Sequence, residues 1–239
     1  MKAMIFAAGL GKRLGKMTET LPKALVDING KTALQRAVEK CNSHGFSDII
    51  VNIHHFADLV EKEILHLREL GFRISVSDER DLLLETGGGL YKARGFFDNS
   101  PFLLYNVDII TDIDLSGFYR FHLESGGIAT LAVRNREDNR FFLTDKYGLI
   151  RGWCNKSTGE LKIPGKVEGD LSEIAFSGIH VVSSEIFSFM EPGIYSMTSL
   201  YLKIADISKI MTFVHNNGYW FDIGDPESLE NARRYLGDD

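Results

Sequence analysis

The chain has little of what would place it in several specialised classes. Its 239 residues include two cysteines, Cys41 and Cys154, too few for a disulfide framework, and we predict that both are buried thiols. No apolar run approaches the length of a membrane span. The short apolar run at the start leads into a charged turn, which is not the pattern of a signal peptide. We therefore expect a cytoplasmic protein with no membrane partner.

An excess of positive charge is also missing. The chain has 27 Lys and Arg against 33 Asp and Glu, for a net charge of −6. General nucleic-acid binders are usually basic, so we expect no nucleic-acid partner. A site for a phosphorylated ligand must then be a local basic pocket in an acidic body. The length suits one large α/β domain, and we predict that residues 1–239 form a single domain.

The two best-known glycine-rich phosphate motifs, G-x-G-x-x-G and G-x-x-x-x-G-K-[ST], are absent from the opening segment. Instead, an apolar run over residues 3–8 predicts a buried parallel strand, and a turn with two glycines follows it over residues 9–13. Glycines in this place let consecutive backbone N–H groups approach a phosphate closely. Arg13 and Lys23 add fixed positive charge beside the turn, so the segment predicts an anion site.

Strand-like and helix-like segments alternate along the rest of the chain. Strands are predicted at 48–53, 72–76, 101–105, 128–133, 174–182 and 211–215, and helices at 32–44, 56–70, 198–207 and 226–236. The alternation predicts a Rossmann-like, three-layer α/β/α fold with a mixed, mostly parallel central sheet. Residues 135–169 are polar and rich in turns, which predicts a small β-rich insertion. Ligands of such sheets bind beyond the carboxyl ends of the strands, where the glycine turn lies.

Two aspartates in distant segments are candidate metal ligands. Asp108 ends a buried strand, although an aspartate there can also simply cap a turn. Asp222 precedes a Gly-Asp-Pro helix start in which Asp225 is the expected cap, so Asp222 is available for another role. Two carboxylates can hold Mg²⁺ and leave positions for phosphate oxygens and water.

Two other polar groups have simpler interpretations. His54 and His55 are adjacent in a predicted strand and would point to opposite faces, which disfavours joint metal binding. One of them, at the strand's carboxyl end, could still touch a substrate. The charged run at residues 78–81 is predicted to be a solvated loop.

Several segments, in this order, resemble the sugar-1-phosphate nucleotidyltransferases. They are G-x-G-x-R-L at 9–14, P-K-x-L at 22–25, E-T-G-G at 85–88, N-x-D at 106–108, F-S-G-I at 176–179 and W-x-D-I-G at 220–224. Within this family the chain looks most like the compact N-acetylmuramate 1-phosphate uridylyltransferases. The compact mannose- or heptose-1-phosphate guanylyltransferases are close behind.

The resemblance implies Mg²⁺-dependent nucleotidyl transfer from an NTP, with UTP favoured, to a sugar 1-phosphate. Pyrophosphate would be released, and the product would serve cell-wall or surface-glycan metabolism. Asp108 and Asp222 are implied as Mg²⁺ ligands. Arg13 would neutralise the β- and γ-phosphates, and Lys23 the α-phosphate or the sugar phosphate. Arg13, Lys23 and Asp108 are thus the implied catalytic residues.

The resemblance also implies two groups of binding residues. The nucleotide contacts would be Ala8, Gly9, Gly11, Lys12, Arg13, Lys23, Gly87, Gly88 and Asn106. Gly178 and Asn106 would contact the sugar phosphate. Residues 1–112 would hold mainly the nucleotide and residues 113–239 mainly the sugar phosphate. We expect NTP and sugar 1-phosphate as small-molecule partners, and a monomer or small homo-oligomer.

The chain departs from the family pattern in places, and two functions of other classes stay open. The family usually has Thr at the position of Lys12 and Gly at that of Val107, and its sugar-binding Glu-Lys-Pro segment has no clear counterpart here. A phosphocholine cytidylyltransferase shares the loop and the acids but needs a cage for a quaternary amine. A non-catalytic nucleotide-sensing domain would be expected to have lost Lys23, Asp108 or Asp222.

Overall fold

Strands and helices alternate along the computed structural model, which describes residues 1–11, 14–15 and 20–237. The strands are β1 Lys2–Phe6, β2 Asp27–Ile28, β3 Lys31–Thr32, β4 Asp48–Ile53, β5 Arg73–Asp78, β6 Phe102–Asn106, β7 Ile109–Thr111, β8 Ala129–Arg134, β9 Arg140–Thr144, β10 Ile150–Asn155, β11 Glu160–Lys162, β12 Ser172–Val182, β13 Ile210–Val214 and β14 Trp220–Asp222. The α-helices are α1 Ala33–Ser43, α2 Ala57–Glu69, α3 Glu85–Lys92, α4 Leu115–Ser125, α5 Met197–Ile204 and α6 Pro226–Gly237. Short 3-10 helices cover Lys23–Leu25, Arg94–Phe96 and Ser184–Phe189.

The central sheet is mixed and mostly parallel, as predicted. Strands β6, β1, β4 and β5 lie side by side and run parallel. Strand β12 runs antiparallel between β6 and β8, and β13 pairs parallel with β8. Because β8 and β6 are both antiparallel to β12, they share a direction, and β12 is the reversed strand of this part of the sheet.

Helices cover both faces of the sheet, which is why its central strands β1, β4 and β6 are almost entirely buried. Side chains alternate in β1: Ala3 and Ile5 pack with α1, α2 and α4 in one core cluster. Met4 and Phe6 pack with α3 and α5 in another. A third cluster joins α6 to β2, β7 and β14. The predicted three-layer α/β/α architecture is confirmed.

The predicted β-rich insertion is an antiparallel extension of the same sheet. Strands β9, β10 and β11 pair in sequence, and β9 also pairs with the first residues of β12. Along β12 the register to β8 shifts between Phe176 and His180, which marks a bulge. Bulges often redirect side chains next to active sites, and this one faces the candidate site described below.

Several details differ from the sequence-based expectations, and helix α4 at Leu115–Ser125 is a helix that was not predicted. Residues 85–92, with three consecutive glycines, form helix α3, where no helix was predicted. Cys41 is buried, and burial raises its thiol pKa to about 12, but Cys154 is partly exposed on β10. Glu79, in the run predicted to be solvated, is 1% exposed. Among the described residues, no helix is both long and apolar enough to cross a membrane.

Candidate active site

The glycine turn and the Asn106–Asp108 segment meet at the carboxyl edge of the parallel strands. Phe6, the last residue of β1, pairs with Asn106, the last residue of β6. The Val107 N–H donates to the Phe6 carbonyl at 3.2 Å, which continues the contact past the strand ends. Ala8 is buried directly after β1. The predicted neighbouring strand ends are therefore adjacent.

Backbone conformation in the turn suits close approach of a ligand. No described atom lies within 4 Å of the position that a Cβ of Gly9 would take, so this side of the turn is open. Gly11 has φ of +63°, a left-handed conformation that glycine adopts at little cost. Lys12 and Arg13, predicted to contact the triphosphate, lie outside the described residues.

Strand pairing brings Asp222 beside Asp108. Strands β14 and β7 are antiparallel, with Asp222 opposite Ile109, and the Ile223 N–H donates to the Asp108 carbonyl at 3.0 Å. Helix α6 packs on this pair through Leu229 and Ala232. The Asp222 Oδ1 accepts from the Gly224 N–H at 2.9 Å, while Asp225 accepts from the Ser228 N–H at the start of α6, its predicted capping role.

Lys23 lies between the two carboxylates. Pro22 directly precedes the 3-10 helix that begins at Lys23. Lys23 is 9% exposed. Its Nζ donates to Asp108 Oδ2 and lies 3.6 Å from Asp222 Oδ1. A buried ammonium thus ties together two segments that are far apart in the sequence. Three residues predicted separately to be functional form one cluster.

The chemistry of this cluster fits a hard divalent cation. Carboxylate oxygens are the ligands that Mg²⁺ prefers, and a cationic ammonium already lies against both of them. In the described part of the chain, no group of three or more His, Cys, Asp and Glu residues could hold a metal ion. A metal at Asp108 and Asp222 would therefore take most of its remaining ligands from substrate and water.

A cleft of about 720 Å³ opens beside the cluster. Its wall includes Asn106, Asp108 and Asp222, together with Gly178 at the bulge of β12. Gly178 has φ of +78°, and a Cβ there would lie 2.7 Å from the Cγ1 of Ile109 and 3.2 Å from the Asn106 amide nitrogen. Glycine is required for both reasons, so the predicted sugar-site residues Gly178 and Asn106 lie together on the cleft wall.

The cluster and the cleft can be compared with known proteins. The family model described as nucleotidyl transferase matches residues 2–238, almost the whole chain. The chain belongs to the nucleotidyl transferase family. The membership predicted from the sequence is confirmed, and with it the prediction that the chain is an enzyme.

Two curated relatives of this transferase represent two nucleotide classes. This chain is 30% identical to the N-acetylmuramate alpha-1-phosphate uridylyltransferase of Caulobacter vibrioides, over 99% of this chain and 97% of that protein. It is 29% identical to the mannose-1-phosphate guanyltransferase beta-B of Xenopus laevis, over 96% of this chain but 62% of that protein. The transferase thus spans less than two thirds of the length of the second relative.

A solved structure gives the same fold. The crystal structure of HddC from Yersinia pseudotuberculosis, complexed with GMP-PN, superposes with a TM-score of 0.80. The match covers 98% of this transferase and 99% of that chain at 22% identity. At this identity the match supports the fold alone.

Gly87 and Gly88 are in close contact with residues 193–195 of the same chain. They lie in α3, and a Cβ on Gly87 would be 2.5 Å from the Tyr195 ring, while one on Gly88 would be 2.0 Å from the Gly193 carbonyl. The Gly87 N–H also donates to the Tyr195 carbonyl at 2.8 Å. These glycines let residues 193–195 pack against the helix. Their expected contact with the nucleotide base stays a prediction.

A buried polar pair behind the glycine turn was not found from the sequence. The Asn52 Oδ1 accepts from the Ala7 N–H at 2.8 Å, and its Nδ2 donates to Glu79 Oε1 at 2.8 Å. Glu79 Oε2 accepts from the Leu84 N–H at 3.3 Å, and burial raises the pKa of this carboxyl. The pair connects the start of the glycine turn to the start of α3. The available signal was a polar Asn52 within the apolar strand 48–53.

His54 belongs to the same region. Its Nδ1 lies 2.7 Å from the Glu79 carbonyl, and the His55 ring packs on Phe56 at 4.1 Å between centroids. Both histidines follow β4 rather than lying within it. In the structure, His54 contacts the Glu79 carbonyl and His55 contacts Phe56, so the two histidines have separate partners within the protein.

Arg136 is another cleft residue that sequence reasoning missed. Its guanidinium lies 4.4 Å from the centre of the Trp220 ring and forms an ion pair with Asp138 at 2.5 Å. Trp220 in turn donates from Nε1 to the Ser177 carbonyl at 3.0 Å. This stack joins β14 to the insertion side of the cleft. No motif in the sequence marks Arg136, because the ring on which it stacks, Trp220, comes from a distant segment.

Proposed function

We propose that this enzyme transfers a nucleotidyl group from an NTP, preferably UTP, to a sugar 1-phosphate in a Mg²⁺-dependent reaction. The observation that carries the proposal is the placement of Lys23 between Asp108 and Asp222, beside an open glycine turn and a cleft of about 720 Å³. Family membership and the two curated relatives support it. The product would be an NDP-sugar for cell-wall or surface-glycan metabolism in the cytoplasm.

In this mechanism, an oxygen of the sugar 1-phosphate attacks the α-phosphorus of the NTP. A new O–P bond forms, the bond to the β-phosphate oxygen breaks, and pyrophosphate leaves with the electron pair. The nucleophile is already an anion, so no general base is required. Catalysis consists of positioning and charge neutralisation by the residues around the phosphates.

Each member of the site has a role in this proposal. Backbone N–H groups at Gly9 and Gly11 cradle the triphosphate, and Arg13 neutralises the leaving β- and γ-phosphates. Lys23 neutralises the α-phosphate or the sugar phosphate by exchanging part of its contact with Asp108 for a phosphate oxygen. Asp108 and Asp222 hold Mg²⁺, which when bound neutralises negative charge on the phosphates.

UTP and an N-acetylated acid sugar are the substrates that the comparisons favour. The Caulobacter uridylyltransferase matches this chain over nearly all of both proteins. The second candidate is guanylyl transfer to mannose 1-phosphate, which the Xenopus relative favours at similar identity. The base and sugar depend on a few hydrogen bonds, so direct assay has to separate the two.

The first experiment is pyrophosphate release with Mg²⁺, crossing UTP, GTP, CTP and dTTP with a panel of sugar 1-phosphates and phosphocholine. We expect UTP with N-acetylmuramate 1-phosphate to be the strongly preferred pair. Preference for GTP with mannose 1-phosphate would establish the second candidate, and CTP with phosphocholine would establish a cytidylyltransferase. If folded protein is inactive across the grid, nucleotide titration by calorimetry distinguishes a binding module from an untested substrate.

Asp108→Asn and Asp222→Asn test the metal assignment. Each variant should reduce Mg²⁺-dependent turnover at least about a hundredfold, because a carboxylate that neutralises transition-state charge is lost. Asp114→Asn is the matched control, since asparagine also caps helices and this aspartate caps α4 outside the cleft. Near-normal turnover in either of the first two variants would contradict the assignment. Circular dichroism checks that all three variants are folded.

We propose further that residues 1–112 mainly hold the nucleotide and residues 113–239 mainly the sugar phosphate. The glycine turn, Lys23 and Asp108 come from the first part, and Gly178 and Asp222 from the second. The expectation of a monomer or small homo-oligomer stays a prediction, which light scattering measures directly.

A further inference from the structure

His180 is a buried histidine on the wall of the cleft. It lies on β12, two positions after Gly178, and is 3% exposed. It lines the same cleft as Asp108 and Asp222, and it pairs with Leu104 on β6, the strand that leads to Asp108. At the usual strand rise it is within roughly 7 Å of Gly178. The mechanism proposed above gives this residue no role.

Its partner on helix α5 fixes which ring nitrogen carries the proton. His180 Nδ1 lies 2.7 Å from the Tyr201 hydroxyl, and Tyr201 is 1% exposed. Within the described residues, the hydroxyl has no other hydrogen-bond partner. A buried hydroxyl hydrogen without an acceptor is costly, so Tyr201 donates and Nδ1 accepts. The hydrogen of the neutral imidazole is then on Nε2.

That Nε2–H group is available to a ligand. His180 Nε2 has no hydrogen-bond partner in the part of the chain that the structure describes. It is also not a fully buried atom: among the described residues, the fully buried side-chain polar atom without a partner is Arg136 Nε. His180 Nε2 is therefore not sealed inside the protein, and the cleft is the open space that its residue borders. Burial lowers the His180 pKa to about 3, so the group is an uncharged donor at neutral pH.

Apolar side chains lie on the same part of the fold as His180 and on the same cleft. The Phe176 ring meets the imidazole edge to face at 4.6 Å, and Phe142, Met197 and Leu202 line the cleft with it. An uncharged donor beside apolar side chains matches an acyl group, in which the carbonyl oxygen accepts the hydrogen bond and the small alkyl group packs against the apolar side chains. It does not match a carboxylate, which would require a positive charge or several donors once desolvated.

We propose that His180 Nε2–H binds the carbonyl oxygen of an acylamino group on the sugar, and that the enzyme thereby selects N-acylated amino-sugar 1-phosphates. The inference rests on the proposed transfer to a sugar 1-phosphate and names the class of that substrate. Tyr201 acts as a positioning residue, because it holds the imidazole in the tautomer that donates.

The test compares kcat/KM for N-acetylglucosamine 1-phosphate and N-acetylmuramate 1-phosphate with that for glucose 1-phosphate, each with saturating NTP. His180→Phe keeps the ring and removes the donor. It should reduce the preference for the acylated sugars about tenfold, since one hydrogen bond to the substrate is lost. His180→Gln retains an N–H donor and should recover part of the preference. Tyr201→Phe should reduce the preference in the same direction.

His122 provides the matched control. It is also buried, but both its nitrogens are bonded within the protein, to Thr130 Oγ1 at 2.9 Å and to Ser183 Oγ at 3.1 Å. His122→Phe should lower thermal stability and leave the ratio between acylated and non-acylated sugars as in the wild type. Nitrogen-15 NMR of the wild type should show a neutral His180 with its proton on Nε2 from pH 5 to 8.

Failure of this inference is distinguishable from failure of the proposed function. Transfer to sugar 1-phosphates with a preference that His180→Phe leaves intact would overturn the role of His180 and leave the function standing. An increased KM for the NTP, equal for every sugar, would mean that His180 contacts a base carbonyl, which also overturns it. No transfer to any sugar 1-phosphate would overturn both.

Discussion

A buried lysine between two aspartates is the central feature at the scale of single residues. An ammonium in this place would be costly without partners, and the two carboxylates would repel each other without it. In the proposed mechanism, Lys23 therefore stabilises the arrangement of the two carboxylates before a phosphorylated substrate binds. The same contact restrains the lysine, because each phosphate contact that it makes must compete with Asp108.

Lys23→Ala should reduce kcat by about a hundredfold or more, because charge stabilisation in the transition state is lost. It should also leave Asp108 and Asp222 without their internal counter-ion. We therefore expect Mg²⁺ alone, without nucleotide, to raise the melting temperature of this variant more than that of the wild type. Thermal melts with and without Mg²⁺ measure the effect.

The control for this change is Lys31→Ala, which removes a partly exposed lysine paired with Glu39 at 2.6 Å. Exposed pairs contribute little, so this variant should behave like the wild type in both assays. If Lys23→Ala raised only KM, Lys23 would be a binding residue without a transition-state role. An unchanged response to Mg²⁺ would contradict its role as counter-ion.

At the scale of elements, helix α3 shows tertiary packing overriding local preference. Three consecutive glycines disfavour a helix, yet residues 85–92 form one. The close contact of the helix with residues 193–195 accounts for this, because only a surface without Cβ atoms admits that segment. From the sequence, the same glycines indicate a loop.

Gly88→Ala should destabilise the fold by about 1–3 kcal/mol, the usual cost of overpacking, since its Cβ would meet the Gly193 carbonyl at 2.0 Å. Gly95→Ala is the matched control. No described atom lies within 4 Å of its Cβ position, and the substitution should be neutral or slightly stabilising. Urea unfolding measures both, and equal stabilities would show that residues 193–195 move aside freely.

The Asn52–Glu79 pair predicts a pH dependence of stability. Burial raises the folded-state pKa of Glu79, so the folded protein holds this proton at pH values where the unfolded chain has lost it. The contribution of Glu79 to the free energy of unfolding is fully present below the pKa that this carboxyl has in the unfolded chain. The contribution is lost as the pH rises through its higher pKa in the folded protein. Each unit of upward shift corresponds to about 1.4 kcal/mol.

Glu79→Gln removes that titration and keeps the side-chain volume. We expect wild-type stability to fall relative to this variant as pH rises from about 4 to 7, by urea unfolding at several pH values. Glu69→Gln, at an exposed position on α2, should follow the wild type. Parallel pH profiles for wild type and Glu79→Gln would contradict a titrating buried carboxyl.

The elements that the sequence predicts well are those whose local pattern of apolar and polar residues is enough to identify them. The apolar strands β1, β4 and β6 and the amphipathic helices α1 and α2 have strong periodicity, and their observed limits agree closely with the predicted ones. The residues that escaped prediction depend on distant partners. Glu79 lies in a charged run yet is buried with Asn52 as its hydrogen-bond partner, and the proposed role of His180 depends on Tyr201, which lies on another element.

At the scale of the whole molecule, the two predicted halves share one sheet. Strand β6 from the first half pairs with β12 from the second, and β7 pairs with β14 across the same division. Neither half alone contains the proposed site, since Lys23 and Asp108 belong to the first half and Asp222 to the second. The single domain over residues 1–239 stays a prediction with a direct test.

The chain should unfold in one cooperative transition because of this shared sheet. Trp153 and Trp220, both in the second half, report on it by fluorescence, while far-ultraviolet circular dichroism reports on the whole chain. We expect the two urea transitions to coincide. Two separate transitions would mean that residues 1–112 and 113–239 are independent domains.

The pairing of β14 with β7 also has a consequence for synthesis of the protein on the ribosome. The glycine turn, Lys23 and Asp108 all emerge before the strand that carries Asp222 exists. Helix α6, which follows β14 in the sequence, packs on the paired strands β14 and β7. If the proposed site is correct, a nascent chain has its phosphate loop long before it has a complete reaction centre. Catalysis by that site would begin only after translation has passed residue 222 and α6 has docked.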